Sequence, residues 1–487
     1  MKAILLFLIV TSVALAESYR ILSIFPFNGK SHNVMFNALV RGLSERGHQV
    51  DDITHFPLKN PPKNYKTIVN LNGTLKSVVN SFDINLVKSL SADVVSFMAM
   101  DYGNNLCELM KLQEIQNIIR QPPTDPPYDL VITEDSDIFS KYQWLQFHHH
   151  DIIGNFDHPA FVPNALLQDF NKTKFWDRLK NLFTHHWNSY KFKMLTEKIQ
   201  TDYMRKYLSP DMPNIRDVER TVALTLVNSD PVIFGAKPVV PSLIEVGGLH
   251  IINGGSKLTP EMQKWLDESV DGIVYFTFGS LVLIETFPEE TLIAMYKSLS
   301  KLAPMRVLMK IVDKSKLPSG LPPNVLTFPW IPQQANVQAF ITHGGLMSSQ
   351  EALYFGVPTI GIPLFGDQVR IVATFVAKNI AVKLDVDDIT TATLDEALNK
   401  ILNDPQYRDK PMSAMDTAIF WIEYVIRNGP DALKSPALNV SWWQLSLVDL
   451  NAFIFLSVIL DLTLTFYLSR LIFRSCLIRL SKKIKTQ

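Results

Sequence analysis

The chain has 487 residues, 47 Lys plus Arg against 47 Asp plus Glu, and no formal net charge. That length exceeds one ordinary core and points to two domains of roughly 200 residues each, while the charge balance argues against nucleic acid as a partner. With only two cysteines, Cys107 and Cys476, hydrophobic cores rather than disulfides must hold the fold.

The N-terminus reads MKAILLFLIVTSVALA. Lys2, the apolar run from Ile4 to Val10 and the small residues Ala14 and Ala16 make the pattern of a cleavable secretory signal over 1–16. Tyr19 to Phe27 is a predicted strand, and Asn28-Gly29-Lys30-Ser31-His32 a tight polar turn. A helix is expected from Asn33 to Arg46, with Val34, Met35, Leu39 and Leu43 as its buried face. Gly47-His48 ends it and a strand begins at Gln49. This is the opening βαβ unit of a doubly wound domain, and the turn after its first strand is where such sheets place ligands.

Tyr128 to Thr133 is the clearest strand of the following stretch. Val239-Val240-Pro241, with Gly247-Gly248 close behind, reads as a link between domains, which places the first at 17–238 and the second at 239–440. A second strand-helix alternation starts at Gly272. Its predicted strands are Ile273 to Phe278, Arg306 to Ile311, Val325 to Phe328, Gln338 to Thr342 and Thr359 to Leu364, and a helix opens at Gly344-Gly345 and runs through Leu353. The fold class is α/β, with two doubly wound domains facing a cleft.

Near the C-terminus the segment 450–473 is apolar and long enough to cross a bilayer. Trp442 and Trp443 precede it as an aromatic anchor. Arg470, Arg474, Arg479, Lys482, Lys483 and Lys485 close or follow it, which places the tail 474–487 in the cytosol. Asp461 is costly inside the span and marks either a partner contact or a shallower placement. Lys483 and Lys485, fifth and third from the end, resemble the dilysine retrieval signal of endoplasmic-reticulum membrane proteins. The expected topology is single-pass type I with both domains lumenal. The sequons at Asn72, Asn171 and Asn439 agree with it.

The densest chemistry lies in ITHGGLMSSQEALYFGVPTIGIPLFGDQ, residues 341–368. A strand, then Thr342-His343-Gly344-Gly345, then a helix offers close backbone approach and a positive helix end, both suited to phosphate. Ser348 and Ser349 add hydroxyls, and His343 can donate to a diphosphate oxygen. Glu351, within the helix, can accept the two hydroxyls of a ribose, while Asp367 and Gln368 follow the next strand and can bind sugar hydroxyls. The runs His148-His149-His150 and His185-His186 read as polar surface rather than a metal site, because adjacent histidines diverge and no acidic ligand stands at a recognisable spacing.

This string resembles the signature of the UDP-glycosyltransferases. FPFNGKSH, EVGGLHI, YFTFGS, WIPQ, FWIEYVIRNGP, the terminal span and the basic tail occur in the same order as in that family, whose animal, insect-like branch is nearest in style. The resemblance implies the GT-B fold, two Rossmann-like domains with the donor in the C-terminal one and a small lipophilic acceptor in the N-terminal one. It implies transfer of a hexosyl group, glucose above all, from a UDP-sugar with inversion and without a metal or other cofactor. The implied partners are the UDP-sugar, the acceptor and the bilayer, with self-association or pairing with other family members left open. By the same resemblance Trp330 stacks on uracil and Gln333 lies near the base and ribose. His343, Gly345, Ser348 and Ser349 hold the diphosphate, Ser280 touches phosphate or sugar, Glu351 binds ribose, and Asp367 and Gln368 bind the sugar. His32 is the implied catalytic base, with its carboxylate partner just after the Asp129 to Thr133 strand. Glu134 fits that place by register and Asp135 by residue type, with Asp137 a further candidate.

Three places depart from the family pattern. Between Trp330 and His343 ~5 residues are missing, ~7.5 Å of helical rise. Shorter text also follows Glu134 and separates Tyr407 from Arg408. The departures allow a divergent enzyme with a reshaped pocket or a binding partner without turnover.

Overall fold

The structure, a computed structural model, describes residues 18–485 except 77, 91–92, 135–154, 156–157, 165, 168–169, 230, 236–238, 252–257, 332–336, 405–406 and 408–440. The secretory signal, Asp135, Asp137, the His148 to His150 run, Gln333 and Asn439 therefore lie outside the described residues, as does part of the sequence around each of the three departures.

The first sheet has the parallel order β3-β2-β1-β4, made of β1 (Arg20–Phe25), β2 (Gln49–Thr54), β3 (Tyr65–Asn70) and β4 (Leu130–Thr133). The register pairs Ile24 of β1 with Ile53 on one side and Thr133 on the other. Helix α1 (Lys30–Glu45) covers it. This helix starts three residues before the expected Asn33, so His32 sits in its first turn and not in the preceding loop. Its buried face also differs: Met35, Phe36 and Val40 are buried, Leu39 and Leu43 are half-buried, and Val34 is 38 % exposed. Phe36 sets the rotation by stacking on Phe25 of β1, ring centroids 4.1 Å apart, and Val34 is carried off that face.

The long helix α2 (Phe175–Tyr207) follows. Then β5 (Thr225–Val227) pairs in parallel with β6 (Leu243–Glu245). The expected linker is therefore partly a strand, and Val240 N also donates to Asn155 Oδ1 at 2.9 Å.

The second sheet has the parallel order β12-β11-β10-β7-β8-β9. Its strands are β7 (Ile273–Thr277), β8 (Arg306–Lys310), β9 (Val325–Phe328), β10 (Ala339–Thr342), β11 (Thr359–Gly361) and β12 (Ala381–Lys383). Parallel strands covered on both faces read as unbroken apolar runs, and Val274, Leu308, Ile341 and Ile360 are fully buried. The covering helices include α3 (Glu289–Ser300), α4 (Leu346–Phe355), α5 (Gln368–Ala377) and α6 (Thr391–Asn403). Leu394, Ala397, Leu398 and Ile401 of α6 form one buried helical stripe.

The two halves are interleaved. Phe82 bridges to Val282, Leu283 N donates to Phe82 O at 3.0 Å, and Phe82, Ile84 and Val87 belong to the core of the second sheet.

At the C-terminus a single helix, α7, runs from Val448 to Lys485. Its stretch Val448–Ser475 has mean hydropathy 1.9, and Phe455 and Phe466 are 65 % and 63 % exposed. Among the described residues it is the one helix long and apolar enough to cross a bilayer.

Candidate active site

In open parallel sheets, ligands bind beyond the carboxyl ends of the strands, where the strand order reverses. In the first sheet that point lies between β1 and β4, and the structure places His32 and Glu134 there. Glu134 N donates to Ile24 O at 3.0 Å, which fixes Glu134 just past β4. Its Oε1 lies 3.7 Å from His32 Nδ1, with both residues buried. The ring of Phe27 meets His32 edge-on at 4.8 Å. Gly29 makes room for this arrangement, since a Cβ there would fall 2.1 Å from Phe27 Cε1. A second imidazole, His55, is held by Pro26 O at 3.0 Å. Burial lowers its pKa, while Pro26 O and the charge of Glu134 pull it back.

In the second sheet the order reverses between β7 and β10. Gly279 follows β7, and the Thr342 to Gly345 turn follows β10. The His343 ring is wedged between glycines: a Cβ on Gly279 would stand 2.8 Å from His343 Cε1, and one on Gly345 2.6 Å from His343 Nε2. Gly344 adopts φ +79° and abuts Val372 of α5, whose Cγ2 would be 2.4 Å from an added Cβ. Burial, with the nearby charge of Lys310, pushes the His343 pKa down to about 3, so the ring is neutral. Its Nδ1 has no hydrogen-bond partner among the described residues.

Gly345 precedes α4 with no side-chain cap, which leaves the first-turn N–H groups for a ligand. Ser348 Oγ donates to Gly345 O at 2.9 Å, and Ser349 is buried. Farther along α4, Glu351 Oε1 lies 3.4 Å from Nε2 of buried His250, which is also 3.2 Å from Met347 O. Gln368 Oε1 accepts from Leu364 N and Phe365 N at 2.8 and 3.1 Å and so pins the loop before α5. Beside it, burial pushes the Asp367 carboxyl up to about 7, and its Oδ2 has no partner among the described residues.

Ser280 is buried, and its carbonyl accepts from Asn80 N at 2.8 Å. Trp330 is half-buried, with Lys30 Nζ 3.5 Å from its ring centroid. That contact joins the second half to the first turn of α1, two residues from His32.

Sequence reasoning missed Lys310, His250 and Lys30 as site residues. Lys310 Nζ donates to Gly279 O at 2.7 Å and Asn80 Oδ1 at 2.6 Å, and burial lowers its pKa to about 8. A charge interrupting the apolar run from Val307 to Val312 was a legible signal. His250 stood within the quoted EVGGLHI without a role.

Residues 138–484 match the family model described as UDP-glucoronosyl and UDP-glucosyl transferase. The chain is also 34 % identical to UDP-glucosyltransferase 2 of Dactylopius coccus, over 92 % of this chain and 93 % of that protein. The chain belongs to the UDP-glycosyltransferase family. It is thus a glycosyltransferase, and its chemistry is sugar transfer from a UDP-sugar to an acceptor. Two further similarities are the ecdysteroid UDP-glucosyltransferase of Lymantria dispar multicapsid nuclear polyhedrosis virus, 28 % identical over 90 % of this UDP-glycosyltransferase and 93 % of the viral protein, and the mouse UDP-glucuronosyltransferase 2A1, 31 % identical over 61 % of this chain and 58 % of that protein. Among solved structures it is similar to the glycosyltransferase VinC in complex with DTDP, at 16 % identity and a TM-score of 0.49 over 85 % of this chain and 96 % of that one.

Proposed function

We propose that the chain transfers glucose from UDP-glucose to a hydroxyl on a small lipophilic acceptor, with inversion and with His32 as general base. The carrying observation is the buried His32–Glu134 pair at the reversal point of the first sheet. His32 Nδ1 faces the carboxylate, and Nε2 is the nitrogen assigned to the acceptor. As the acceptor oxygen bonds to the anomeric carbon, its proton passes to Nε2. The bond from that carbon to the diphosphate oxygen breaks, and UDP leaves with the electron pair. Glu134 orients the ring and stabilises the imidazolium.

The unpartnered His343 Nδ1 and Asp367 Oδ2 support the donor side of this reading. The α4 N-terminus, His343, Ser348, Ser349 and Lys310 take the diphosphate with no metal ion, and Ser280 stands beside it. Trp330 takes the uracil, Glu351 the ribose, and Asp367 with Gln368 the glucose. The same reading places α7 in the endoplasmic-reticulum membrane, with both halves lumenal and the basic tail cytosolic.

Microsomes carrying the full chain are incubated with UDP-glucose and a panel of phenols. Glucoside formation is expected, preferred over other UDP-hexoses, and His32→Ala abolishes it while leaving UDP binding intact. Transfer that survives His32→Ala refutes the assignment of the base.

A further inference from the structure

Helix α2 carries its hydrophobicity on the wrong side for a core helix. Trp176, Phe183, Trp187, Tyr190 and Met194 are 68, 58, 60, 56 and 64 % exposed. At ~100° per residue they fall within about 60° of one another, a single stripe over five turns. The opposite face is buried and largely polar, with Arg178, Asn181, Asn188 and Thr196 inside.

The stripe begins where the anchor helix begins. Arg178, 1 % exposed, pairs with Asp449 in the first turn of α7. Leu179 and Leu182 pack with Leu450. The rings of Phe175 and Trp176 meet Phe453, inside the apolar stretch of α7, at 5.6 and 5.9 Å. The first stripe residue therefore touches a residue of the span, and the others continue from it along the solvent side. Trp and Tyr with apolar neighbours are the side chains that settle at the boundary between lipid headgroups and acyl chains, and exposed Lys180 flanks the stripe where anionic headgroups reward a cation.

We propose that the exposed face of α2 lies in the interfacial layer of the bilayer, as a second membrane contact beside α7. The stripe then has a use. Trp187 and Lys191 line a cleft of about 420 Å³ whose far wall is Phe365 and Gly366, next to Asp367. A lipophilic acceptor dissolved at the interface meets the mouth of that cleft without crossing water. The inference rests on the reading of α7 as a bilayer anchor.

The test uses the full chain with Cys476→Ser, reconstituted in lipid nanodiscs. A single cysteine is placed in turn at Trp176, Phe183, Trp187 and Met194 and labelled with a polarity-sensitive fluorophore; Cys107 is buried. Leu464→Cys reports the span and Glu290→Cys the solvent. Spin-labelled lipids are expected to quench all four stripe positions about threefold or more over Glu290→Cys, with matching protection from aqueous iodide. If Leu464→Cys is not quenched, the anchor fails and the inference with it. If Leu464→Cys is quenched but positions 183, 187 and 194 behave like Glu290→Cys, the anchor stands and the inference is overturned. Blue-shifted emission that depends on protein concentration without lipid quenching assigns the stripe to a second copy and also overturns it.

Discussion

Replacing Glu134 by Gln keeps the shape of the buried pair and removes its charge. At an effective dielectric near 20, unit charges 3.7 Å apart attract by about 4.5 kcal/mol. In the proposed mechanism that attraction exists only when His32 carries the proton taken from the acceptor, so it stabilises the transition state and not the resting enzyme. The amide dipole of Gln returns part of it, and a net loss of about 3 kcal/mol lowers kcat by about 10²-fold. The donor KM should not move, because Glu134 sits on the first sheet and the groups proposed to hold the donor on the second. The assay is coupled detection of UDP release by the full chain in microsomes, with UDP-glucose and acceptor varied separately. A Glu134→Gln rate within about threefold of wild type, beside an inactive His32→Ala, refutes the pair as a catalytic unit. A raised donor KM at unchanged kcat refutes the placement of Glu134 on the acceptor side.

The Asp367 carboxyl, raised from 3.8 to about 7, costs stability increasingly as pH rises through that window, up to about 4 kcal/mol above it; Asp367→Asn is therefore expected to raise the melting temperature at pH 8 and not at pH 4 while lowering glucose transfer, and an equal change at both pH values refutes the cause. Gly345→Ala forces the His343 ring aside at a cost of about 1–3 kcal/mol, to be read as at least tenfold weaker UDP binding by calorimetry. Lys30→Met uncovers the Trp330 face and is expected to tighten binding of uncharged uridine about two- to fivefold, the value of a partly exposed cation–π contact; unchanged affinity means uracil does not stack there. A metal chelator should leave the transfer rate unchanged, and loss of activity restored by a divalent cation refutes the metal-free assignment of the diphosphate groups.

Five of the six strands of the second sheet were legible, and the edge strand Ala381–Lys383 was not read. Val325–Phe328 was read as found, and Ile273, Arg306 and Thr359 were read as the first residues of their strands, because buried parallel strands announce themselves as apolar runs between Gly and Pro. The His343 turn was legible for the same reason. Long-range geometry was not. The choice between Glu134 and Asp135 could not be read from spacing: one ladder bond, Glu134 N to Ile24 O, holds Glu134 just past β4, while Asp135 lies outside the described residues. Lys310 and Lys30 gain their place only when Asn80 and Trp330, over two hundred residues away in sequence, come to meet them. Helix α2 hid because its pattern is inverted, with Asn181 and Asn188 inside and Trp176 and Trp187 outside.

Phe82, Ile84 and Val87 reach out of the first half to fill the core of the second, with Ile84 N bonded to Thr286 Oγ1 at 3.1 Å. A fragment expressed from about residue 239 onward would lack these three side chains and expose the apolar wall they cover. Chimaeras that join the front of one relative to the back of another inherit a mismatched plug unless 80–87 travels with the back half. Heating should likewise melt both halves in one transition, because the second has no complete interior without the first.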